Sequence, residues 1–508
     1  MPSSEFVKHV ETDSHQQYSP PFRSSILQAL NVAVLVLALL VAGQAVGQMP
    51  GAPPAPSDSG ARQSSNRAPV SAPPQSSFSG SVPAGNASSE IIPLTFRDAL
   101  DRGLRQNLGL LLASDNTIAA RGQKWRDLSE LLPKVNFSAA ESVQETSLAA
   151  LGFRLPGLPR VIGPFGFFDG RLFLNQSLFN LTDIQHERAA TLNVKAAQYN
   201  YKDARELVVL AVGNSYLQAL AGEARVETAD AQVKTAQALY GKAVDQQKAG
   251  VTAAIDALRA QVEYQARQQQ LIVAQNNFAK QKLGLARIIG LPPGQDFTLV
   301  DKAPYEPVTT LGLEQSLERA YAARPDYQAL LAETKASELS RRAAAAEHLP
   351  ALAVAADYGD IGVNPSNSNG TYHVTGTINI PIFQGGKAHA DALEAEATLR
   401  QNRAQLENLR AQIDYEVRTA MLDLNAAADQ VAVARSSVDL AGQTLTQAQD
   451  RFAAGVTDNL EVIQAQEALA SAHENYIASL YAHNVAKVEF AKAIGSAEEG
   501  VKQYWKGK

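Results

Sequence analysis

The chain has 508 residues, of which 45% are hydrophobic and 19% are charged, and this length is enough for more than one domain. Its formal net charge of −6 argues against a nucleic-acid partner. Because the sequence contains no cysteine, it excludes disulfides, thiolate catalysis, cysteine-ligated metal centres and a lipid anchor on an N-terminal cysteine.

The N-terminal region has the composition of an export signal. Lys8 and Arg23 precede an apolar run over residues 32–46, and Ala45-Val46-Gly47 offers small residues for cleavage before Gln48. A membrane anchor helix is the alternative, but the run is short for a membrane span and a proline-rich stretch follows it at once. We therefore expect a signal peptide at residues 1–47.

Residues 48–90 are rich in Pro, Ser, Gly and Ala and hold few large apolar side chains. Such a composition cannot build a core, so we expect a disordered spacer here. No later stretch reaches the roughly 18 consecutive apolar residues that a membrane helix needs. A membrane location would therefore require a β-barrel.

The remainder of the chain is an internal duplication. Gly250-Val251-Thr252 recurs as Gly455-Val456-Thr457 (455 − 250 = 205), and the same offset relates Ile289-Gly290 to Ile494-Gly495. Upstream, Leu132-Pro133 matches Leu349-Pro350 with a larger offset (349 − 132 = 217), and an insertion of this kind belongs in an exposed loop. We expect a first structural repeat at residues 91–290, a connector at 291–313, a second repeat at 314–495 and a C-terminal tail at 496–508.

Each repeat has the pattern helix, strand, loop, strand, long helix, turn, helix. The first helix is predicted over residues 96–131, where Pro133 ends it. Apolar and polar residues then alternate with period two around residues 135–144 and 372–382, with loops predicted near 148–166 and 359–370. The apolar face of these strands would be a core in a soluble sandwich and would face lipid in a barrel, and the strand pattern alone leaves both open.

The long helices favour the membrane barrel over the soluble sandwich. Residues 182–249 and 387–454 contain no proline and little glycine, and each would reach roughly 100 Å at 1.5 Å per residue. That length implies coiled-coil packing between helices rather than a globular fold. At the turns, Gly250 and Gly455 suit the left-handed position after a helix, and Thr252 and Thr457 suit the cap of the next helix.

Taken together, these features make the sequence similar to the TolC-like outer-membrane factor family over residues 91–495. The features that carry the resemblance are the paired repeats, the two Leu-Pro pairs before strands, Pro381-Ile382-Phe383-Gln384-Gly385-Gly386 before a long helix, and the two Gly-Val-Thr tips. One departure is Ser177-Leu178-Phe179-Asn180, which stands where the family usually has Pro and Gly.

The resemblance implies an α-dominated α+β membrane protein that works as a homotrimer. Its helical hairpins would form a twelve-helix periplasmic α-barrel, and four strands per chain would form a twelve-stranded β-barrel in outer-membrane lipid. The segment after Pro292 would join the repeats in a belt around the tunnel. The expected role is the exit duct of a tripartite efflux pump or a type I secretion system, with a periplasmic adapter and an inner-membrane transporter of the RND, ABC or MFS type as partners.

No enzyme motif is complete, and we expect neither a cofactor nor catalysis. His473-Glu474 lacks the second histidine of a zinc protease motif, since Ile477 stands there, and Gly385-Gly386-Lys387 lacks the rest of a phosphate loop. A periplasmic coiled-coil adapter and a structural coiled-coil protein are the alternatives. The strand pairs at the helix ends argue against both.

Two sets of residues are candidate sites. The first set is the pair of tips, which would dock the adapter or, alternatively, only pack against their own hairpins: Gly250, Val251, Thr252, Gly455, Val456 and Thr457. The second set is a periplasmic gate. By the resemblance, Asp256 occupies the acidic gate position, and Phe452 its aromatic partner position, without a hydroxyl.

Asp256 and Glu461 lie at equivalent places, six residues past the tip glycines (256 − 250 = 461 − 455 = 6). In a trimer they could supply six carboxylates at one level, with Arg451 and Lys248 as the nearest bases. The alternative is that both acids only interact with helix dipoles on a solvated face.

Overall fold

The computed structural model describes residues 77–148, 150, 159–250, 253–302, 312–457 and 459–504. The predicted signal peptide and most of the predicted spacer lie outside these residues. The first repeat comprises β1 (Ile92–Leu94), α1 (Phe96–Gln106), α2 (Leu108–Ser129), β2 (Lys134–Ser147), β3 (Val161–Phe179), α3 (Leu181–Lys248) and α4 (Ala254–Ile289). The connector contains β4 (Phe297–Leu299).

From its first helix onward, the second repeat has the same order of elements as the first. It comprises α5 (Leu313–Ala323), α6 (Pro325–Ala346), β5 (Ala351–Gly362), β6 (Ser368–Asn379), α7 (Lys387–Ala453) and α8 (Asn459–Ala493), and α9 (Ala497–Tyr504) follows it. Both long helices end within one residue of their predicted bounds, because a chain without proline propagates a helix until a glycine turn stops it.

The predicted first helix is two helices, and this expectation was wrong. Asn107 has an extended backbone and caps α2, where its side chain accepts a hydrogen bond from the Gly109 amide at 3.0 Å. Its side-chain nitrogen also donates to the Phe78 carbonyl at 2.8 Å. The break therefore comes from an asparagine cap that a contact distant in sequence stabilises.

Four strands form one antiparallel sheet in the order β2-β3-β5-β6. The register places Phe137 opposite Leu172, Leu172 opposite Tyr358 and Tyr358 opposite Tyr372, so one face carries rows of exposed apolar side chains. The strands run further into the predicted loops than expected, since β3 begins at residue 161 and only residues 363–367 separate β5 from β6. Cross-strand pairing extends the strands beyond the alternating pattern.

A small parallel ladder joins the start of the first repeat to the connector. β1 pairs with β4, and the buried Tyr216 hydroxyl donates to the Leu94 carbonyl at 3.1 Å and to Asp301 Oδ2 at 2.8 Å. The same carboxylate oxygen accepts from the Phe96 amide at 2.6 Å. One carboxylate thus fixes the start of α1 against α3.

Residues 77–90 of the predicted disordered spacer lie against the first repeat, although residues 82–90 are exposed, and this corrects the expectation of disorder for the C-terminal part of the spacer. Phe78 lies over Gly109, where a Cβ would meet its ring at 2.5 Å, and the Val82 amide donates to the Gln106 carbonyl at 2.8 Å. The Ser88 amide donates to Gln295 Oε1 at 2.8 Å. Backbone hydrogen bonds therefore order a segment that supplies almost no core of its own.

The predicted C-terminal tail also contains structure, namely α9. Ala497 is fully buried, and its amide donates to Glu206 Oε2 at 3.2 Å. The neighbouring Arg205 donates two hydrogen bonds to the Glu498 carboxylate, from Nη2 at 2.8 Å and from Nε at 3.1 Å. Two adjacent residues of α3 therefore hold the first turn of α9.

The long helices form two hairpins, α3–α4 and α7–α8, and α3 also contacts α8. In the half nearer the tips, the helices consequently lie side by side in the order α4–α3–α8–α7, and in the half nearer the sheet the order is α2–α3–α6–α7. Alanine dominates the hairpin interfaces, which allows close approach of the backbones. Among the described helices, α3 alone is long and apolar enough to cross a membrane, and the sequence analysis did not find this stretch. Of its most apolar 18 residues, 56% are buried, as in a core helix.

Candidate functional site at the hairpin tips

The first tip follows α3. Gly250 has a φ of 73° and its amide donates to the Gln247 carbonyl at 3.0 Å, so the predicted left-handed glycine is confirmed. Val251 and Thr252 lie outside the described residues. The residue that caps α4 is Ala253, which makes no side-chain cap hydrogen bond, so the predicted cap position is displaced by one residue from Thr252.

The second tip closes by a Schellman motif. Gly455 has a φ of 71°, its amide donates to the Phe452 carbonyl at 3.1 Å, and the Val456 amide donates to the Arg451 carbonyl at 3.0 Å. The Val456 side chain is 69% exposed. The carbonyls at the end of α7 are therefore satisfied within the turn, and an apolar side chain is presented outward.

Thr457 does not cap α8 as predicted, because that helix begins two residues later, at Asn459. Its hydroxyl instead donates to the Glu461 carboxylate. The other Glu461 oxygen lies 3.4 Å from Arg451 Nε. Glu461 thus ties the end of α7 and the turn to the first turn of α8, and the predicted proximity of Arg451 is confirmed.

Asp256 has a different partner from the one expected. Its carboxylate lies 3.7 Å from Arg259 Nη1, one turn along the same helix, whereas Lys248 was the predicted base. An acid and a base three residues apart on a helix face each other, which was the available signal for Arg259. Asp256 and Glu461 therefore each have an arginine beside them.

Phe452, expected at the aromatic partner position of the gate, is packed in the tip core. Only 9% of it is exposed, and it packs with Ala448, Val462 and Ala465 while Leu239 of α3 borders the cluster. The Lys242 ammonium lies 5.6 Å above its ring centroid. Phe452 therefore connects the two hairpins, and Lys242 is a tip residue that the sequence analysis missed.

The arrangement described so far is that of an outer-membrane channel: two paired helical hairpins with a four-stranded sheet at the end opposite to the tips. The outer membrane channel CmeC of Campylobacter jejuni superposes with a TM-score of 0.69 at 19% identity, covering 80% of this chain and 88% of that one. The outer membrane protein VceC of Vibrio cholerae gives a TM-score of 0.69 at 18% identity, covering 80% and 97%.

The sequence profile of the outer membrane efflux protein family matches residues 104–291 and 316–496, one match for each repeat. The chain belongs to this family. It is 22% identical over 396 residues to the alkaline protease secretion protein AprF of Pseudomonas aeruginosa, covering 74% of this chain and 80% of AprF. It is also 22% identical to the outer membrane protein TolC of Escherichia coli, covering 65% and 69%.

The family, the fold class and the outer-membrane location with a large periplasmic portion, all expected from the sequence, are therefore confirmed. The expected role as an efflux or secretion channel is confirmed at the level of the family.

Proposed function

We propose that the protein is the outer-membrane exit duct of a three-component export machine and that it works as a homotrimer without catalysing a reaction. The observation that carries this proposal is that both the sheet and the layer of long helices end in edges that do not close on each other within one chain. The sheet ends at β2 and β6, and the helical layer near the tips ends at α4 and α7. An open sheet edge in lipid leaves backbone groups unpaired at several kcal/mol each, so the edges must meet other copies.

Both helical edges carry exposed apolar side chains. The exposed apolar residues of α4 include Leu258, Val262, Ile272 and Leu283, and those of α7 include Tyr415, Leu422, Val433 and Leu440. Because the two edges differ, one copy joins the next head to tail, and such contacts close into a ring. Bacterial barrels need about eight strands or more, which excludes one chain, and the family favours three.

We infer the two other components of the machine, a transporter and an adapter, from the names of the relatives. AprF is named for secretion of alkaline protease, and TtgC of Pseudomonas putida is named as a probable efflux pump component. A duct of this kind receives its cargo from an inner-membrane transporter of the RND, ABC or MFS type through a periplasmic adapter. Choice of cargo then lies mainly with the transporter.

The tips are the surface proposed for adapter docking, because they lie at the end of the hairpins farthest from the sheet. The outward side chain of Val456 supports this proposal, since an apolar knob at a solvated turn fits an apolar partner. Val251 occupies the equivalent place in the sequence.

Replacing both valines, Val251→Asp with Val456→Asp, should abolish export while trimers still insert in the outer membrane. Export is measured in cells, and trimers are measured as heat-sensitive oligomers of the outer-membrane fraction. The matched control is Val251→Thr with Val456→Thr, which keeps the shape of the side chains without adding charge. Normal export by the aspartate variant would exclude docking through these valines.

Asp256, Glu461 and Arg451 are proposed as the charged gate at the periplasmic mouth. Each acid is paired with an arginine, which reduces repulsion between carboxylates when three copies approach. Asp256→Asn with Glu461→Gln should lower cation selectivity and relieve block by divalent ions in planar bilayers, because carboxylate rings concentrate cations. Unchanged selectivity and unchanged block would show that these carboxylates do not face the pore.

A further inference from the structure

The face of the sheet opposite to the apolar rows carries one charged cluster. Arg171 of β3 donates from Nε to Asp169 Oδ1 at 2.6 Å and from Nη1 to Asp357 Oδ1 of β5 at 3.1 Å. His373 of β6 lies opposite Asp357 in register, with Nδ1 3.8 Å from Asp357 Oδ2. These four residues are called the inner-face cluster below.

The position of the cluster follows from the register. Residues that share a face with Arg171 include Ser138, Phe173 and Thr375, whereas Phe137, Leu172 and Tyr372 point the other way. In a membrane barrel the apolar face contacts lipid, and the opposite face lines the lumen. The inner-face cluster therefore lines the lumen if the proposed barrel forms.

On this face of the described strands, the inner-face cluster contains all the charged side chains except Lys134. Lys134 shares the face but stands at the first residue of β2, where it pairs with Glu130 at 2.5 Å. Glu141 and Asp360 lie on the apolar face by register, and Glu145 lies at the bulge of β2. The remaining residues of the face are uncharged, as Asn136, Ser142 and Thr377 illustrate.

The charges of the cluster do not cancel. Two carboxylates and one guanidinium group leave one negative charge per copy when the imidazole is neutral. Asp357 is the group that faces His373 from β5, with Arg171 and Asp169 beyond it. Across β6, the next copy would present β2, whose residues on this face are uncharged apart from Lys134 at its start.

We propose that the inner-face cluster sets the charge preference of the outer-membrane part of the channel, favouring cationic over anionic solutes. Rings of carboxylates give cation selectivity in other channels, and a lumen surrounded by protein and lipid increases their effect. This proposal rests on the proposed function, because it needs the closed barrel.

The test is the reversal potential of single channels in planar bilayers under a potassium chloride gradient. At pH 8, Asp357→Asn should shift the reversal potential toward zero. Arg171→Gln should shift it closer to the potassium equilibrium potential. Asp360→Asn is the matched control, since it removes the same charge from the same strand on the lipid face and should change nothing. Each variant is also measured with the gate acids neutralised, so that the tips do not mask the barrel.

A double variant separates charge from structure. Asp169→Asn with Arg171→Gln removes the central ion pair but keeps the net charge of the cluster, so it should retain the wild-type reversal potential.

The proposal is overturned if Asp357→Asn and Arg171→Gln behave like Asp360→Asn in channels that conduct normally, and the proposed function then stands. Failure of the wild type to form any channel would instead overturn the proposed function, and this proposal with it.

Discussion

At the scale of single residues, Glu206 has the environment with the clearest consequence. It lies on α3 and accepts a hydrogen bond from the amide that begins α9. Burial, together with the negative charges of Asp203 and Glu498, raises its pKa from 4.5 to about 7, against the opposing effects of the Ala497 amide and Lys492. The folded protein therefore binds this proton more tightly than the unfolded chain does.

The sign of the resulting pH dependence follows directly. A raised pKa contributes stability that is complete below the unfolded value of about 4.5 and is lost as the pH rises through about 7. The wild type should accordingly melt at a lower temperature at pH 8 than at pH 5.5. Glu206→Gln, which imitates the protonated acid, should make the melting temperature less dependent on pH over this range.

Glu187→Gln is the matched control, because it makes the same replacement on the same helix at a side chain that bonds to Thr191. Thermal unfolding of the detergent-solubilised protein at the two pH values provides the measurement. An equal pH dependence in Glu206→Gln and the wild type would contradict the assignment to this carboxyl group.

Residue-scale expectations succeeded where local chemistry decides the outcome and failed where packing decides it. The tip glycines could be predicted because a helix end followed by Gly-Val-Thr restricts the backbone. The burial of Phe452 could not, because it depends on Leu239 of the other repeat, more than 200 residues away. The break at Asn107 depends in the same way on Phe78.

At the scale of elements, the end of α4 shows how a single glycine joins several segments. Gly290 has a φ of 70°, its carbonyl accepts from the Ala84 amide at 3.2 Å, and a Cβ at this position would lie 2.5 Å from Gln106 Cβ. A side chain here would be strained by the left-handed backbone and would also push apart α1 and the packed segment before β1.

Gly290→Ala should therefore destabilise the protein by more than the roughly 1 kcal/mol expected of left-handed strain alone. Gly294→Ala is the control, since Gly294 has a φ of 86° but open space around its Cβ position. Denaturant unfolding of both variants measures the difference. Equal losses of stability would mean that the close approach of Gln106 is not important.

Element boundaries were predictable to different degrees for physical reasons. The bounds of α3 and α7 follow from the absence of proline and from glycine stops, which are local signals. The start of β3 does not, because residues 161–168 mix glycine, proline and phenylalanine without strict alternation, and pairing with β2 makes them a strand. The contacts of residues 77–90 with the first repeat and the connector could likewise not be predicted from composition.

At the scale of the whole molecule, the two different edges predict how copies join. Ile272 of α4 and Val433 of α7 are 65% and 68% exposed. Ile272 lies 18 residues from the first residue of α4 (272 − 254), and Val433 lies 20 residues from the last residue of α7 (453 − 433). The two side chains are thus at similar heights above the tips and on opposite edges.

Since the natural chain has no cysteine, Ile272→Cys with Val433→Cys introduces the sole thiols. Oxidation should give covalent species up to a trimer and no larger on non-reducing gels. Each single variant should stay monomeric, because a head-to-tail contact never brings two identical edges together. Dimers formed by either single variant would indicate a symmetric, two-fold interface and contradict the ring.

The head-to-tail edges also have a genetic consequence. In the proposed ring, a copy with intact edges but defective tips would still assemble, because the edges that would join copies include α4, α7, β2 and β6 and not the turns. When normal and tip-defective copies are made in equal amounts, random mixing leaves roughly one trimer in eight entirely normal. A tip allele should therefore be dominant over the normal gene, whereas an allele that disables the edges should be recessive.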